Sequence, residues 1–136
     1  MTDARSDYTK TSPNNRSLIS FDIDGTLEMG DPPGPVTIEM VRRAKEMGYV
    51  VGSCSDRPVG SQKQMWEANA LVMDFTVLKH QLPEVKALFK AEAYCHVGDR
   101  ELDRQFAHQA GFDFLWPGDA TREPWALDGP SGGKSG

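Results

Sequence analysis

Apolar and polar residues follow one another along the chain in two alternating patterns. Short, nearly continuous apolar runs predict five strands, at residues 18–23, 49–54, 72–78, 93–97 and 112–116. Between these runs, apolar residues recur at steps of three and four, which predicts helices over residues 36–47, 58–70, 82–91 and 100–110. Strands that alternate with helices and lack a polar face are typical of a parallel sheet covered on both sides.

The order of these elements predicts an α/β fold, a Rossmann-like three-layer sandwich around a mostly parallel five-stranded sheet. The chain has 136 residues, which is enough for one domain with one core. The periodic pattern fails at both ends, where residues 1–16 are polar and residues 128–136 are rich in glycine and serine. We therefore expect one folded domain over residues 17–127, between two flexible tails.

Composition narrows the classes of partner and compartment. The net charge of −5 disfavours electrostatic binding of nucleic acid over a broad surface. No apolar stretch approaches the roughly 20 residues that span a bilayer, and the first residues lack the apolar segment of a signal peptide. These features predict a cytoplasmic protein without a membrane partner. Cys54 and Cys95 lie inside apolar, strand-like runs, which favours small core residues over the competing interpretation, a disulfide.

Two carboxylates stand directly after the first apolar run. Asp22 and Asp24 are followed by Gly25, and strand alternation would point both carboxylates to one side. Such a pair repels unless a cation, a proton or a hydrogen-bond network compensates it. A divalent cation such as Mg²⁺ is the simplest answer, because hard cations prefer carboxylate oxygens. A plain turn is the alternative, whereas a calcium loop would need Glu at the position that Pro33 occupies.

Polar residues also follow the second, third and fourth predicted strands. These are Ser55, Lys79 and Asp99, and Asp103 comes one helical turn after Asp99. Ligands of open parallel sheets bind beyond the carboxyl ends of the strands. We therefore expect these side chains to cluster at that edge of the sheet. Each residue also has an ordinary alternative: helix capping for Ser55 and Asp99, and surface exposure for Lys79.

Together these segments resemble the four motifs of the haloacid dehalogenase superfamily, in the order in which that family has them. Residues 22–26, Asp-Ile-Asp-Gly-Thr, match its first motif, and Ser55 and Lys79 match its second and third by position. Residues 98–103, Gly-Asp-Arg-Glu-Leu-Asp, match its fourth motif. The resemblance extends over residues 17–117, and the first and fourth motifs are its specific parts.

The resemblance implies a Mg²⁺-dependent phosphomonoester hydrolase. Asp22 would attack phosphorus and form an aspartyl-phosphate, while Asp24 would act as general acid and then as general base. Mg²⁺ would be held by the Asp22 carboxylate, the backbone carbonyl of Asp24 and Asp99. Placing the motifs in this way predicts that the carboxylates of Asp22 and Asp99 lie within about 5 Å of each other, close enough to share an ion. Asp103 would orient that metal shell. The resemblance also implies side chains that bind the phosphoryl oxygens of the substrate: Ser55, Thr26 and Lys79.

Many members of that family carry a cap over the site, and this chain has little room for one. Only residues 28–35 separate the first motif from the next predicted helix, so we predict no cap domain. An open site would admit a phosphorylated small molecule or macromolecule, unless a second subunit of a homo-oligomer covers it. An exposed Trp66 or Trp116 would mark such a contact. Two other functions stay open: a non-catalytic domain that binds a phosphorylated ligand or a protein, and a phosphotransferase.

Overall fold

The computed structural model of the chain describes residues 17–126. The predicted tails, residues 1–16 and 128–136, lie outside the described residues, and so does Leu127. The strands are β1 (Leu18–Phe21), β2 (Val50–Ser55), β3 (Phe75–Leu78), β4 (Tyr94–Val97) and β5 (Asp113–Leu115). The helices are α1 (Ile38–Glu46), α2 (Val59–Ala68), α3 (Leu82–Leu88), α4 (Glu101–Gln109) and α5 (Pro117–Ala120), with a 3₁₀ turn over Lys79–Gln81.

The five strands form one sheet in the order β3–β2–β1–β4–β5, and all four neighbouring pairs are parallel. The chain builds outward from β1 through β2 to β3, and then returns to the other side of β1 for β4 and β5. This reversal makes a topological switch point between β1 and β4, where an open sheet leaves a crevice beyond its carboxyl edge. The predicted α/β fold with a parallel five-stranded sheet is confirmed.

Each face of the sheet carries its own hydrophobic core. Ile19 and Phe21 of β1 pack in a cluster with residues of α1, α2 and the C-terminal Trp125. Leu18 points to the opposite face, where it joins a cluster with residues of α3 and α4. Burial of one such side chain stabilises the fold by about 1.5–3 kcal/mol. The two cores hold helices on both sides of the sheet, which gives the predicted three layers.

Both cysteines are core residues with free thiols. Cys54 is fully buried in the α3–α4 side of the core, and Cys95 in β4 is 1% exposed. Burial raises the pKa of both thiols. The interpretation of these residues as small buried side chains is confirmed.

Four of the five strands, β1, β3, β4 and β5, are shorter than their apolar runs predict, and β1 and β3 show why. β1 ends at Phe21 because the chain then turns, with the Thr26 and Leu27 N–H groups donating to the carbonyl of Ile23. β3 begins at Phe75 rather than at residue 72, and Val72 is 79% exposed. Apolar character alone predicted these extensions, whereas hydrogen bonds to neighbouring backbone decide where the strands end.

The two tryptophans considered as contact markers differ in exposure. Trp66 is only 2% exposed and donates its indole N–H to Ser53 Oγ at 3.0 Å, so it belongs to the core and marks no contact surface. Trp116 is 40% exposed, as a residue that marks a subunit contact would be. Whether a second subunit contacts it stays a prediction.

The connection between β1 and α1 folds back onto itself instead of forming a lid. The Gly34 N–H donates to the carbonyl of Leu27 at 2.9 Å, and the Glu28 carboxylate accepts the Ile38 N–H at 2.6 Å, at the start of α1. Residues 17–126 contain no cap domain, as predicted. Over the same residues, no helix has both the length and the apolar character that crossing a bilayer requires.

Candidate functional site

Three aspartates converge at the switch point between β1 and β4. Asp22 follows β1, Asp99 follows β4, and Asp103 lies in the first turn of α4. One carboxylate oxygen from each lies within 4.8 Å of the other two. The predicted approach of Asp22 to Asp99 is therefore confirmed. Oxygen atoms at this spacing could bind one metal ion between them.

Asp99 supplies the observation that fits a cation best. Its Oδ1 atom is buried and has no hydrogen-bond partner among the described residues. A buried carboxylate oxygen without a donor carries a large desolvation cost unless a positive charge compensates it. Asp99 does not cap α4, because the N-cap residue is Arg100 and its N–H donates to Asp103 Oδ2 at 3.2 Å. The helix-capping alternative for Asp99 is therefore wrong.

Gly25 allows Asp99 to approach the turn after β1. Its φ of +80° lies in the left-handed region, and a Cβ atom there would lie 2.0 Å from Asp99 Oδ2. Both features exclude a larger residue unless the turn or the carboxylate moves. The glycine in the first motif therefore has a physical reason in the packing of the two loops.

A Gly25→Ala variant is expected to lose about 1–3 kcal/mol of unfolding free energy and to displace Asp99, because both strain and steric overlap oppose the added methyl group. Gly60→Ala is the matched control, since a Cβ at Gly60 meets nothing within 4 Å. Ala in place of a helical glycine stabilises by about 0.5–1 kcal/mol. Urea unfolding of both variants checks the prediction, and equal stabilities would contradict it.

Asp22 is a buried acid in an environment that disfavours its charge. It is 4% exposed, accepts a long hydrogen bond from Thr26 Oγ1 at 3.4 Å, and lies 3.7 Å from Lys79 Nζ. Burial, followed by the charge of Asp103, raises the pKa of Asp22 from 3.8 to about 8, against the opposing effect of Lys79. A divalent cation among these carboxylates would favour the ionised form of Asp22.

Lys79 is the buried cation of the site. It is 4% exposed, and its ammonium lies 2.8 Å from Asp103 Oδ1, 3.6 Å from Asp56 Oδ2 and 3.7 Å from Asp22 Oδ1. Burial lowers the pKa of Lys79, but the hydrogen bond to Asp103 and the nearby carboxylates outweigh burial and raise it. The surface-exposure alternative is wrong. The three clustered aspartates outnumber the one buried lysine, so a bound cation could compensate the remaining negative charge.

Asp24 does not belong to the carboxylate cluster. Because β1 ends at Phe21, the expected alternation does not set its direction, and its side chain instead pairs with Arg57 at 2.9–3.1 Å. The Asp31 N–H donates to the same carboxylate at 2.8 Å. Burial favours the neutral acid, but the hydrogen bonds from Arg57 and Asp31 outweigh it and lower the pKa of Asp24. A metal contact through the Asp24 carbonyl stays a prediction.

An Arg57→Gln variant is expected to lose less than about 1 kcal/mol of unfolding free energy at pH 7, because both partners of the Asp24 pair are about a third exposed. The folded-state pKa of Asp24 is lowered, so its contribution is present above the unfolded value of 3.8 and is lost as the pH falls below it. The gap between variant and wild type should therefore close in acid. Chemical unfolding from pH 7 to pH 3 measures it, and a gap that widens in acid would refute the assignment.

Ser55 and Thr26 bring hydroxyl groups to the same edge. Ser55 is 1% exposed and accepts the Arg57 N–H at 3.0 Å, within the turn that precedes α2. The N-cap residue of α2 is Pro58, so Ser55 does not cap that helix, contrary to the alternative. Thr26 is fully buried and points its hydroxyl at Asp22. Phosphate binding by either side chain stays a prediction.

Sequence reasoning missed a second polar layer beneath the site. His96 lies fully buried in β4, with Nδ1 2.9 Å from Ser20 Oγ and Nε2 3.3 Å from Asp103 Oδ1. A histidine between Cys95 and Val97 in an apolar run was the available signal. The pairing of Ser20 with His96 depends on the register of β1 against β4, which the sequence does not provide.

No protein-family model matches the chain, and no curated protein matches it.

Proposed function

We propose that the protein is a Mg²⁺-dependent phosphomonoesterase that works through an aspartyl-phosphate on Asp22. One observation carries the proposal: Asp22 and Asp99 converge at the switch point of the sheet, beside the buried ammonium of Lys79. A carboxylate nucleophile, a candidate cation site and a fixed positive charge are the groups that phosphoryl transfer needs in one place. The resemblance to the haloacid dehalogenase superfamily supports the same reading.

The donor set supports Mg²⁺ as the resident ion. Every candidate ligand atom in the cluster is a carboxylate oxygen, which is typical of sites for hard cations. Asp22 and Asp99 would hold the ion, together with the Asp24 carbonyl that the resemblance implies. Both oxygens of Asp103 are already engaged, by Lys79 and His96 on one side and the Arg100 N–H on the other. That arrangement favours an orienting role for Asp103. Bound Mg²⁺ would offset negative charge on the phosphoryl oxygens.

In the first step, a carboxylate oxygen of Asp22 forms a bond to phosphorus as the ester P–O bond breaks. Asp24 gives a proton to the leaving oxygen, so the alcohol departs neutral and the phosphoryl group stays on Asp22. The Lys79 ammonium and the hydroxyls of Ser55 and Thr26 donate to the phosphoryl oxygens. Lys79 also reduces the repulsion between the nucleophile and the anionic substrate, because it lies 3.7 Å from Asp22.

In the second step, water attacks the phosphorus of the aspartyl-phosphate and Asp24 takes its proton. The bond between Asp22 and phosphorus breaks, which releases inorganic phosphate and restores the carboxylate. The ion pair with Arg57 favours the ionised form of Asp24, which is the form that accepts a proton. The first step needs the protonated acid. The proposal therefore requires substrate binding to weaken the contact between Arg57 and Asp24.

The test is turnover of a generic aryl phosphate by purified protein with and without Mg²⁺. Hydrolysis that depends on Mg²⁺ and stops with a chelator is expected. Absence of hydrolysis over a panel of sugar phosphates, nucleotides and phosphopeptides would reject the phosphatase. Added alcohols or sugars in the same assay separate the hydrolase from a phosphotransferase, which would deliver the phosphoryl group to the acceptor.

One observation favours a second candidate, a domain that binds a phosphorylated ligand without turning it over. The carboxylate that should act as general acid is held by three contacts to Arg57 and one to the Asp31 N–H. If these contacts to Arg57 and Asp31 persist with a ligand bound, Asp24 stays ionised and has no proton to give to the leaving oxygen. Binding of phosphate analogues with Mg²⁺, in a protein that hydrolyses no member of the panel, would select this candidate.

A further inference from the structure

A fully buried imidazole lies directly behind the acidic cluster. His96 is in the interior of the sheet, where Ser20 of β1 stands opposite it in register. Burying an imidazole at such a position destabilises the fold unless both ring nitrogens have hydrogen-bond partners. Both are engaged, Nδ1 with Ser20 Oγ at 2.9 Å and Nε2 with Asp103 Oδ1 at 3.3 Å. The ring therefore connects the centre of the sheet to the site.

The direction of these hydrogen bonds follows from the chemistry of Asp103. Asp103 accepts from two donors besides the ring, the Lys79 ammonium at Oδ1 and the Arg100 N–H at Oδ2, as an ionised carboxylate does. An ionised carboxylate only accepts, so His96 must carry a proton on Nε2 and donate it to Asp103. In the neutral ring, Nδ1 then accepts from the Ser20 hydroxyl.

Asp103 is held from three directions. Oδ1 accepts from His96 and from Lys79 Nζ, the latter at 2.8 Å, and Oδ2 accepts the Arg100 N–H at 3.2 Å. Gly98 packs directly against this side chain, because a Cβ atom at Gly98 would lie 2.5 Å from Cβ and Cγ of Asp103. A carboxylate with these contacts cannot turn without breaking a bond to a buried partner. Its orientation in turn fixes the ammonium of Lys79.

We propose that His96 is a positioning residue, which acts through Asp103 to hold the Lys79 ammonium toward the phosphoryl group. The inference rests on the proposed function and assigns a role to a residue outside its motifs. One N–H of the ammonium is used by Asp103, so the remaining two are aimed by that bond. Loss of the His96 donor removes one of the three contacts that hold Asp103, so the carboxylate can shift and the direction of the Lys79 ammonium is less tightly fixed.

The first test uses the wild-type protein and needs no turnover. Long-range ¹H–¹⁵N correlation spectra distinguish which nitrogen of His96 carries the proton. A proton on Nε2 is expected, with or without a second proton on Nδ1. A neutral ring protonated only on Nδ1 cannot donate to Asp103 and would overturn the proposal.

The second test is a series of variants at His96. His96→Gln keeps an N–H donor at the distance of Nε2, whereas His96→Asn reaches only toward Ser20 and His96→Leu has no donor. The Leu and Asn variants are expected to lose about 10- to 100-fold in kcat/KM per folded molecule. The Gln variant should stay within about threefold of the wild type. If the Leu variant does not fold, the comparison of Gln with Asn decides.

Cys95→Ala is the control for general damage to β4. Cys95 neighbours His96 and is 1% exposed, and strand alternation points its side chain to the face of the sheet opposite His96. This variant should be less stable and yet keep its kcat/KM per folded molecule. Equal activity losses in the Gln and Leu variants, or none in the Leu variant, would overturn the positioning role.

The ammonium signal of Lys79 separates this inference from the proposed function. Its N–H protons are buried and hydrogen-bonded, so they should exchange slowly and give an observable ¹H–¹⁵N correlation. The signal should persist in His96→Gln and shift or disappear in His96→Leu. That result in a protein without turnover supports the positioning of Lys79 and rejects the phosphatase. Turnover with an unchanged Lys79 signal in both variants rejects only the inference.

Discussion

An Asp22→Asn variant is expected to lose aryl phosphate hydrolysis almost completely, by about 10⁴-fold or more in kcat. The uncharged amide cannot form the acyl phosphate, while its size and shape preserve the buried contacts with Thr26 and Lys79. Release of the aryl alcohol at saturating Mg²⁺ measures the effect. Asp113→Asn is the matched control, because that residue is exposed at the opposite end of the sheet. Turnover within tenfold of the wild type would reject the nucleophile.

The same Asp22→Asn substitution is expected to stabilise the metal-free fold. The folded-state pKa of Asp22 is raised from 3.8 to about 8, so the folded protein retains this proton over that window while the unfolded chain releases it. The stability of the wild type therefore declines as the pH rises through this window. The variant does not show this decline, because Asn does not titrate. We expect a Tm gain of at least about 3 °C near pH 8, and little gain near pH 4. Thermal melts in a chelator test it, and a gain that does not depend on pH would contradict it.

The second large effect is expected at Asp99. An Asp99→Asn variant should bind Mg²⁺ about 100-fold more weakly or worse, because the number of carboxylate charges sets the affinity of such sites. The metal-free fold should lose no stability, since Oδ1 of Asp99 has no hydrogen-bond partner among residues 17–126 to lose and the variant buries one charge fewer. Isothermal titration calorimetry with Mg²⁺ measures the affinity, and unfolding in a chelator measures the stability.

Asp56→Asn is the control for the Asp99 experiment. Asp56 carries a carboxylate at the same edge, 3.6 Å from Lys79, but it is absent from the cluster of three aspartates. Its loss should change Mg²⁺ affinity by less than about threefold, because its side chain is 69% exposed and its charge is screened by solvent. If Asp56→Asn and Asp99→Asn weaken binding equally, the ion senses net charge alone and Asp99 is not its ligand.

The residues after the strands were predictable because the sequence marks where an apolar run stops. In a parallel sheet the carboxyl ends of the strands share one edge, so Asp22 and Asp99 were expected at the same edge despite their separation in the chain. Their close approach also needs β1 beside β4, an order that the apolar pattern does not provide. The burial of Lys79 could not be predicted in the same way. It depends on the 3₁₀ turn that begins at this residue and directs the ammonium toward Asp103.

Two features of the site were beyond sequence reasoning for different reasons. The direction of the Asp24 side chain depends on where hydrogen bonds end β1, and apolar character extended that strand too far. The contact of His96 with Asp103 depends on how α4 docks against β4, which is a matter of packing and not of local pattern. The Asp24–Arg57 pair joins residues from two different loops, and the His96–Asp103 pair joins two successive elements, so periodicity within one segment carries no information about either contact.

The central claim is tested most directly by a crystal structure of the protein with Mg²⁺ and beryllium fluoride, which mimics a phosphoryl group on a carboxylate. We expect a fluoroberyllate bonded to the Asp22 carboxylate, with the ion bound by Asp22 and Asp99. An unmodified Asp22, or an ion bound away from both residues, would contradict it.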